Sequence, residues 1–81
     1  MTVKRQIKGQ TSMSDLKVVG RRLRQLRGFD VTQADFARKL GISQSQLSKY
    51  ERGVAAPPAD VLIRLKEMLR ISLDWLLTGD D

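Results

Sequence analysis

Gln44, Ser45, Ser48 and Lys49 are the residues whose types and spacing point most directly to chemistry, and that chemistry is hydrogen bonding. At helical spacing they share one face, with Arg52 at its carboxyl end and Gln46 near its edge. A helix face that meets only water commonly carries Glu–Lys pairs. This one carries amides and hydroxyls, which both donate and accept. Such groups match the edges of nucleic-acid bases: glutamine to adenine, lysine to guanine, serine to several. Covalent chemistry has little to draw on. The chain has no histidine and no cysteine, which removes imidazole bases, thiol catalysis and disulfides. Ser45 and Lys49 stand one turn apart, as a nucleophile and its base can. A catalytic lysine, however, normally needs burial to lower its pKa, and this one lies among polar neighbours. The sequence has no glycine-rich phosphate loop and no metal-ligand cluster. Neither enzyme activity nor a cofactor or metal is expected.

The elements that must position this face are two short helices joined at Gly41. Thr32 opens the first with a capping box, its side chain accepting from a backbone amide and Asp35 reaching back. Phe36, Ala37 and Leu40 form one apolar stripe. Gly41 stops the helix, since glycine takes the left-handed conformation without steric cost. Ser43 opens the second helix, with Gln46 completing another capping box. Leu47 and Tyr50 point inward, leaving the polar face outward. Ala37 is small where the two helices cross. The arrangement predicts a helix-turn-helix over residues 33–52, with the second helix as reader.

Thr32-Gln33-Ala34, Phe36-Ala37, Leu40-Gly41-Ile42-Ser43-Gln44-Ser45, Leu47-Ser48 and Tyr50-Glu51-Arg52-Gly53, followed by Leu73-Asp74-Trp75-Leu76-Leu77-Thr78-Gly79, resemble the Cro and phage-repressor type of bacterial regulators, the XRE family. The resemblance covers roughly residues 14–79. It implies an all-α, compact five-helix bundle of the lambda-repressor-like DNA-binding type, preceded by a flexible basic arm. It implies a transcriptional regulator of the repressor kind that binds double-stranded DNA in the major groove. Base readout is expected from Gln44, Ser45, Ser48 and Lys49, and phosphate contact from Gln33, Ser43, Gln46 and Arg52. Arg27 and Glu51 match family positions that form an internal ion pair. The chemistry fits independently: Glu51 follows Tyr50 and turns partly inward, away from phosphate, where a planar guanidinium can bind both its oxygens. The resemblance also implies a homodimer at least on DNA, with its contact near the fifth helix and Trp75 or Leu77 as anchors. The alternative is a protein-interaction module of the same fold. Acidic residues at Ser45, Ser48 or Lys49 would favour that reading, and none is present. The chain departs from the family in three places. No cation lies between Arg52 and Arg64, the connection before Thr32 is one residue short, and Arg70 stands where glycine is usual.

Composition agrees with this organisation. Eighty-one residues allow one domain with a modest core. Aromatics are only 5%, so that core must be built from Leu, Ile, Val and Ala. Fifteen Lys and Arg against nine Asp and Glu give a net charge of +6 and a pI near 10.3, an electrostatic footprint for a polyanion. A membrane partner is not expected: no apolar run reaches a span, and no helix pairs a large apolar face with a purely basic one. With no signal peptide visible, a cytoplasmic protein is the default.

Along the chain, residues 1–12 form the basic arm and residues 13–81 the domain. Lys4, Arg5 and Lys8 make the arm basic and Gly9 makes it flexible. Met13-Ser14-Asp15 is an alternative natural start. Ser12 or Ser14 caps the first helix, whose stripe is Leu16, Val19, Leu23 and Leu26 and whose end is Arg27-Gly28. Phe29 and Val31 are expected to tuck under the motif. Pro57-Pro58 starts the fourth helix, with Val61, Leu62, Leu65, Met68 and Leu69 inward and Arg64 and Lys66 in water. Ser72 caps the fifth, with Leu73, Leu76 and Leu77 inward and Gly79 ending it.

Overall fold

Helix boundaries in this chain follow its caps. The computed structural model describes residues 13–79. Among these the regular elements are α1 (Met13–Arg27), α2 (Gln33–Leu40), α3 (Gln44–Arg52), α4 (Ala59–Leu69) and α5 (Leu73–Thr78), with no strand. The fold is all-α. The basic arm of residues 1–12, and with it Ser12, lies outside the described residues; Ser14 falls inside the first turn of α1 rather than at its cap.

Three serine and threonine caps hold. The side chains of Thr32, Ser43 and Ser72 accept from the amides of Asp35, Gln46 and Trp75 at 3.0, 3.1 and 3.1 Å. Only at Ser43 is the box reciprocal, with the Ser43 amide donating to Gln46 Oε1 at 2.9 Å. At Thr32 the return half is missing. Asp35 is shorter than the Glu or Gln that closes such a box, and its carboxylate pairs with Arg38 one turn on. Gly41 takes φ +74°. The turn then closes with Gly41 N–H on the Arg38 carbonyl at 3.1 Å and Ile42 N–H on the Ala37 carbonyl at 3.0 Å, a Schellman end that a side chain at Gly41 would strain. Arg70 adopts the same left-handed conformation, φ 57° and ψ 40°, with a side chain present.

Val19, Leu23, Phe36, Ala37, Leu40, Leu47, Tyr50, Val61, Leu65 and Leu76 form one buried core. Each fully buried leucine contributes roughly 1.5–3 kcal/mol relative to exposure, and Leu23, Leu40, Leu47, Leu65 and Leu76 are all in that class. α1 packs on α3 and α5, and α2 packs on α3 and α4. The α1–α3 approach is backbone-close. Gly20 is buried, and a Cβ there would collide with the Glu51 carbonyl and stand 2.6 Å from that of Tyr50. A lone glycine inside an amphipathic helix often marks such a packing site; the sequence reading gave Gly20 no role.

Three further expectations are corrected. Phe29 is fully exposed, not tucked under the motif. Arg27 Nη1 donates to the Val31 carbonyl at 3.0 Å, which ties the far end of the connection to α1. Half-buried Val31 then packs against the core, and Phe29 stands at the apex. Arg64 is not simply in water: its Nη1 donates to the Leu40 carbonyl at 3.1 Å, satisfying one of the acceptors that a helix end leaves open. Leu77 is exposed, because Leu76 fills the inward position of the short α5. Trp75 is half-buried, under the guanidinium of Arg22 at 6.0 Å from the ring centroid, and Arg22 Nη1 also donates to the Leu76 carbonyl at 3.4 Å. No helix among the described residues is long and apolar enough to cross a membrane.

Candidate nucleic-acid interface

Leu47 and Tyr50 are buried, so the 3.6-residue repeat turns Gln44, Ser45, Ser48 and Lys49 to the opposite side. Gln44, Ser45 and Lys49 are exposed and Ser48 is half-buried. At nine residues, α3 is about 13 Å long, comparable with the roughly 12 Å width of a DNA major groove.

A chain of hydrogen bonds runs from α1 to this face. Arg27 grips Glu51 with two parallel bonds, Nε to Oε2 at 2.8 Å and Nη2 to Oε1 at 3.0 Å. The Glu51 side chain is 4% exposed and that of Arg27 15%, so the pair is largely out of water. Gln33 Nε2 then donates to Glu51 Oε1 at 3.0 Å, and Gln44 Nε2 donates to Gln33 Oε1 at 3.3 Å. The hydrogen bond to Glu51 raises the pKa of Arg27 above its ordinary value; desolvation opposes this and the charge of Glu51 adds to it. Both carboxylate oxygens are engaged, and among the described residues no buried side-chain nitrogen or oxygen lacks a partner. Glu51 is the only carboxylate on α3, so the outward face presents no anion.

The structure divides the residues expected at DNA into bound and free groups. Ser43 and Gln46 are joined by their capping box, which leaves the Ser43 O–H and the Gln46 NH2 available to donate. Arg52 Nε donates to Ser48 Oγ at 3.1 Å, drawing the cation back along the helix. Gln33, expected at a phosphate, sits half-buried between Glu51 and Gln44 and keeps one amide N–H to offer. Ser45 and Lys49 carry no side-chain hydrogen bond or ion pair among the described residues. The bridging part of Gln33 was not read from the sequence. Its signal was its place directly after the Thr32 cap, where a side chain is within reach of both helices of the turn.

A model of the helix-turn-helix family matches residues 21–76, more than half of the chain. Among curated proteins, the HTH-type transcriptional regulator ImmR of Bacillus subtilis is 38% identical over 66 residues, which span 78% of this chain and 50% of that protein. The cryptic phage CTXphi transcriptional repressor RstR of Vibrio cholerae is 34% identical over 61 residues, 75% of this chain and 54% of the repressor. The chain thus spans about half the length of these two relatives. It spans 91% of a third, the uncharacterized HTH-type transcriptional regulator YazB of Bacillus subtilis, at 40% identity over 65 residues. No solved structure matches.

Proposed function

The chain belongs to the helix-turn-helix family, and from that premise we propose that it is a sequence-specific, double-stranded-DNA-binding transcriptional regulator that represses by occupying its site. The observation that carries this reading is the outward face of α3: donors and acceptors at Gln44, Ser45, Ser48 and Lys49, with its single carboxylate turned inward and neutralised. Gln44 at the amino end of the reader helix takes an adenine edge, Lys49 a guanine, and Ser45 and Ser48 contact neighbouring bases. Ser43, Gln46, the remaining N–H of Gln33 and Arg52 hold phosphates. Gln33 carries a second duty, because its bond to Gln44 aims the first base-reading side chain from a frame anchored on Arg27. The repressor RstR among the relatives supports the repressive sense. The reaction involves no covalent step and no cofactor, and the chain acts in the cytoplasm as a homodimer on DNA, since one reader helix spans too few base pairs for useful selectivity.

Selection of bound sequences from a random duplex pool tests the reading. Enrichment of a pseudo-palindrome with half-sites about one helical turn apart is expected. A pool that stays random would replace this reading with that of a protein-interaction module on the same fold.

A further inference from the structure

Arg21, Arg24 and Arg27 of α1 line an open hollow of about 610 Å3 together with Gln25, Gly28 and Phe29. Arg27 is committed to Glu51 and the Val31 carbonyl. Arg21 and Arg24 are exposed and, among the described residues, make no hydrogen bond or ion pair. Like charges three residues apart on a helix repel, so the isolated chain gains nothing from this pair. Phe29 at the rim is fully exposed. The neighbouring carboxylate, Asp30, belongs to a different hollow, with Val31, Asp35, Arg38 and Lys39. A surface that combines free guanidiniums with a bare aromatic ring fits a ligand that is anionic and also has apolar faces.

The position of the hollow identifies that ligand. Arg27 forms part of its wall and, through Glu51, is bonded to Gln33 at the amino end of α2 and on to Gln44. The hollow therefore flanks the reading face on the side where the amino end of α2 meets the backbone. Arg21 and Arg24 lie about 4.5 Å apart along the helix axis, and their long side chains can splay to neighbouring charges of one DNA strand, which rise roughly 3.4 Å apiece along the duplex axis. Resting on the reading of α3 given above, we propose that this hollow is a second DNA contact that holds the duplex beyond the stretch read by α3. Arg21 and Arg24 take successive phosphates of the flanking backbone, and the Phe29 ring lies against the intervening deoxyribose. The chain thereby recovers on α1 the backbone contact that its cation-free loop after Arg52 does not supply.

The test uses a site selected from random duplex DNA, prepared in two lengths. One is trimmed to the site and the other carries about 10 further base pairs, about one helical turn, on each side. The wild-type chain is expected to bind the long duplex roughly tenfold more tightly. The Arg21→Gln/Arg24→Gln variant should match wild type on the short duplex and gain little from the flanks, with a salt slope on the long duplex lower by about 2 per subunit. Arg24→Gln alone should lose about half of that slope change, and Phe29→Ser should lose flank affinity at unchanged slope. All three residues are exposed, and a thermal melt confirms that the variants fold. Equal losses on both lengths, or a wild type indifferent to the flanks, overturn the second contact while leaving α3 as the reader. A wild type that binds neither duplex overturns both readings.

Discussion

The Glu51 side chain, 4% exposed, holds a carboxylate out of water, and its neighbours explain why the fold tolerates it. Two bonds come from Arg27 and one from Gln33. Removing one partner strands the other, a loss of about 3–5 kcal/mol for a buried pair. Glu51→Gln and Arg27→Met are each expected to destabilise by roughly 3 kcal/mol, and together by clearly less than the sum. Denaturant unfolding of the singles and the double measures this; small additive losses would place Glu51 outside any such network. The pH dependence has a definite sign. Because the folded-state pKa of Arg27 is raised above its ordinary value, its contribution is complete below the unfolded pKa and is lost only as the pH climbs through the folded one. No loss of stability from Arg27 is therefore expected between neutrality and about pH 11. At the far end of the same network, Gln44→Ala should lose about 1–3 kcal/mol on the selected site and much less on random DNA. Gln33→Leu should reproduce part of that selective loss, since it frees Gln44 without removing a base contact. Competition binding on the two DNAs separates these outcomes; equal losses on both would reduce Gln44 to a backbone contact.

At the scale of elements, α3 is placed by contacts that its own residues do not reveal. Gly20→Ala gains about 0.5–1 kcal/mol of helix propensity. The new methyl meets backbone carbonyls of Tyr50 and Glu51, which cannot swing aside as a side chain can. Overpacking of about 1–3 kcal/mol therefore wins, and a net destabilisation of about 1–2 kcal/mol is expected by thermal unfolding, with weakened DNA binding as α3 shifts. Arg70→Gly should do the reverse. Relief of the left-handed strain, about 1–2 kcal/mol, exceeds the added freedom of the unfolded chain, about 0.4–1 kcal/mol. The melting temperature should rise by a few degrees; a fall would mean that the Arg70 side chain makes a contact worth more than its strain. These two positions also mark how far the elements were legible. Thr32, Ser43, Ser72 and Gly41 declared helix ends because a cap is settled within four residues. Arg70 was legible only as a departure from the family resemblance, in which glycine is usual at that helix end. Gly20, Arg64 and Phe29 were not. Each depends on where a distant element lies: α3 behind Gly20, the end of α2 beneath Arg64, and the α1–α2 connection held by Arg27 at Val31. The outward residues of α3 were readable as a face, whereas the bridging of Gln33 between Glu51 and Gln44 needed two helices in register.

For the whole molecule, a net charge of +6 makes association with DNA a matter of counterion release. Arg52→Gln is expected to weaken binding to every sequence alike and to flatten the salt slope by about 1 per subunit, measured as affinity against salt. Binding indifferent to salt would remove the electrostatic basis of the proposal. Exposed Leu77 and half-buried Trp75 stand at the carboxyl end of the fold, where the subunit contact of the proposed dimer is expected. Sedimentation with a palindromic duplex should give two chains per duplex, and Leu77→Ser should lower that ratio while leaving the monomer folded; one chain per duplex at saturation would exclude the dimer. The division of labour on α3 has a further consequence, for how such a protein can change over generations. Leu47, Tyr50 and Glu51 secure the helix to the body, and Ser43 with Gln46 secures its start. Gln44, Ser45 and Lys49 secure nothing buried. Under the proposed reading of α3, exchanging those three redirects the chain to another target sequence with almost no penalty in stability, so a duplicated copy can acquire a new set of targets before its fold is put at risk.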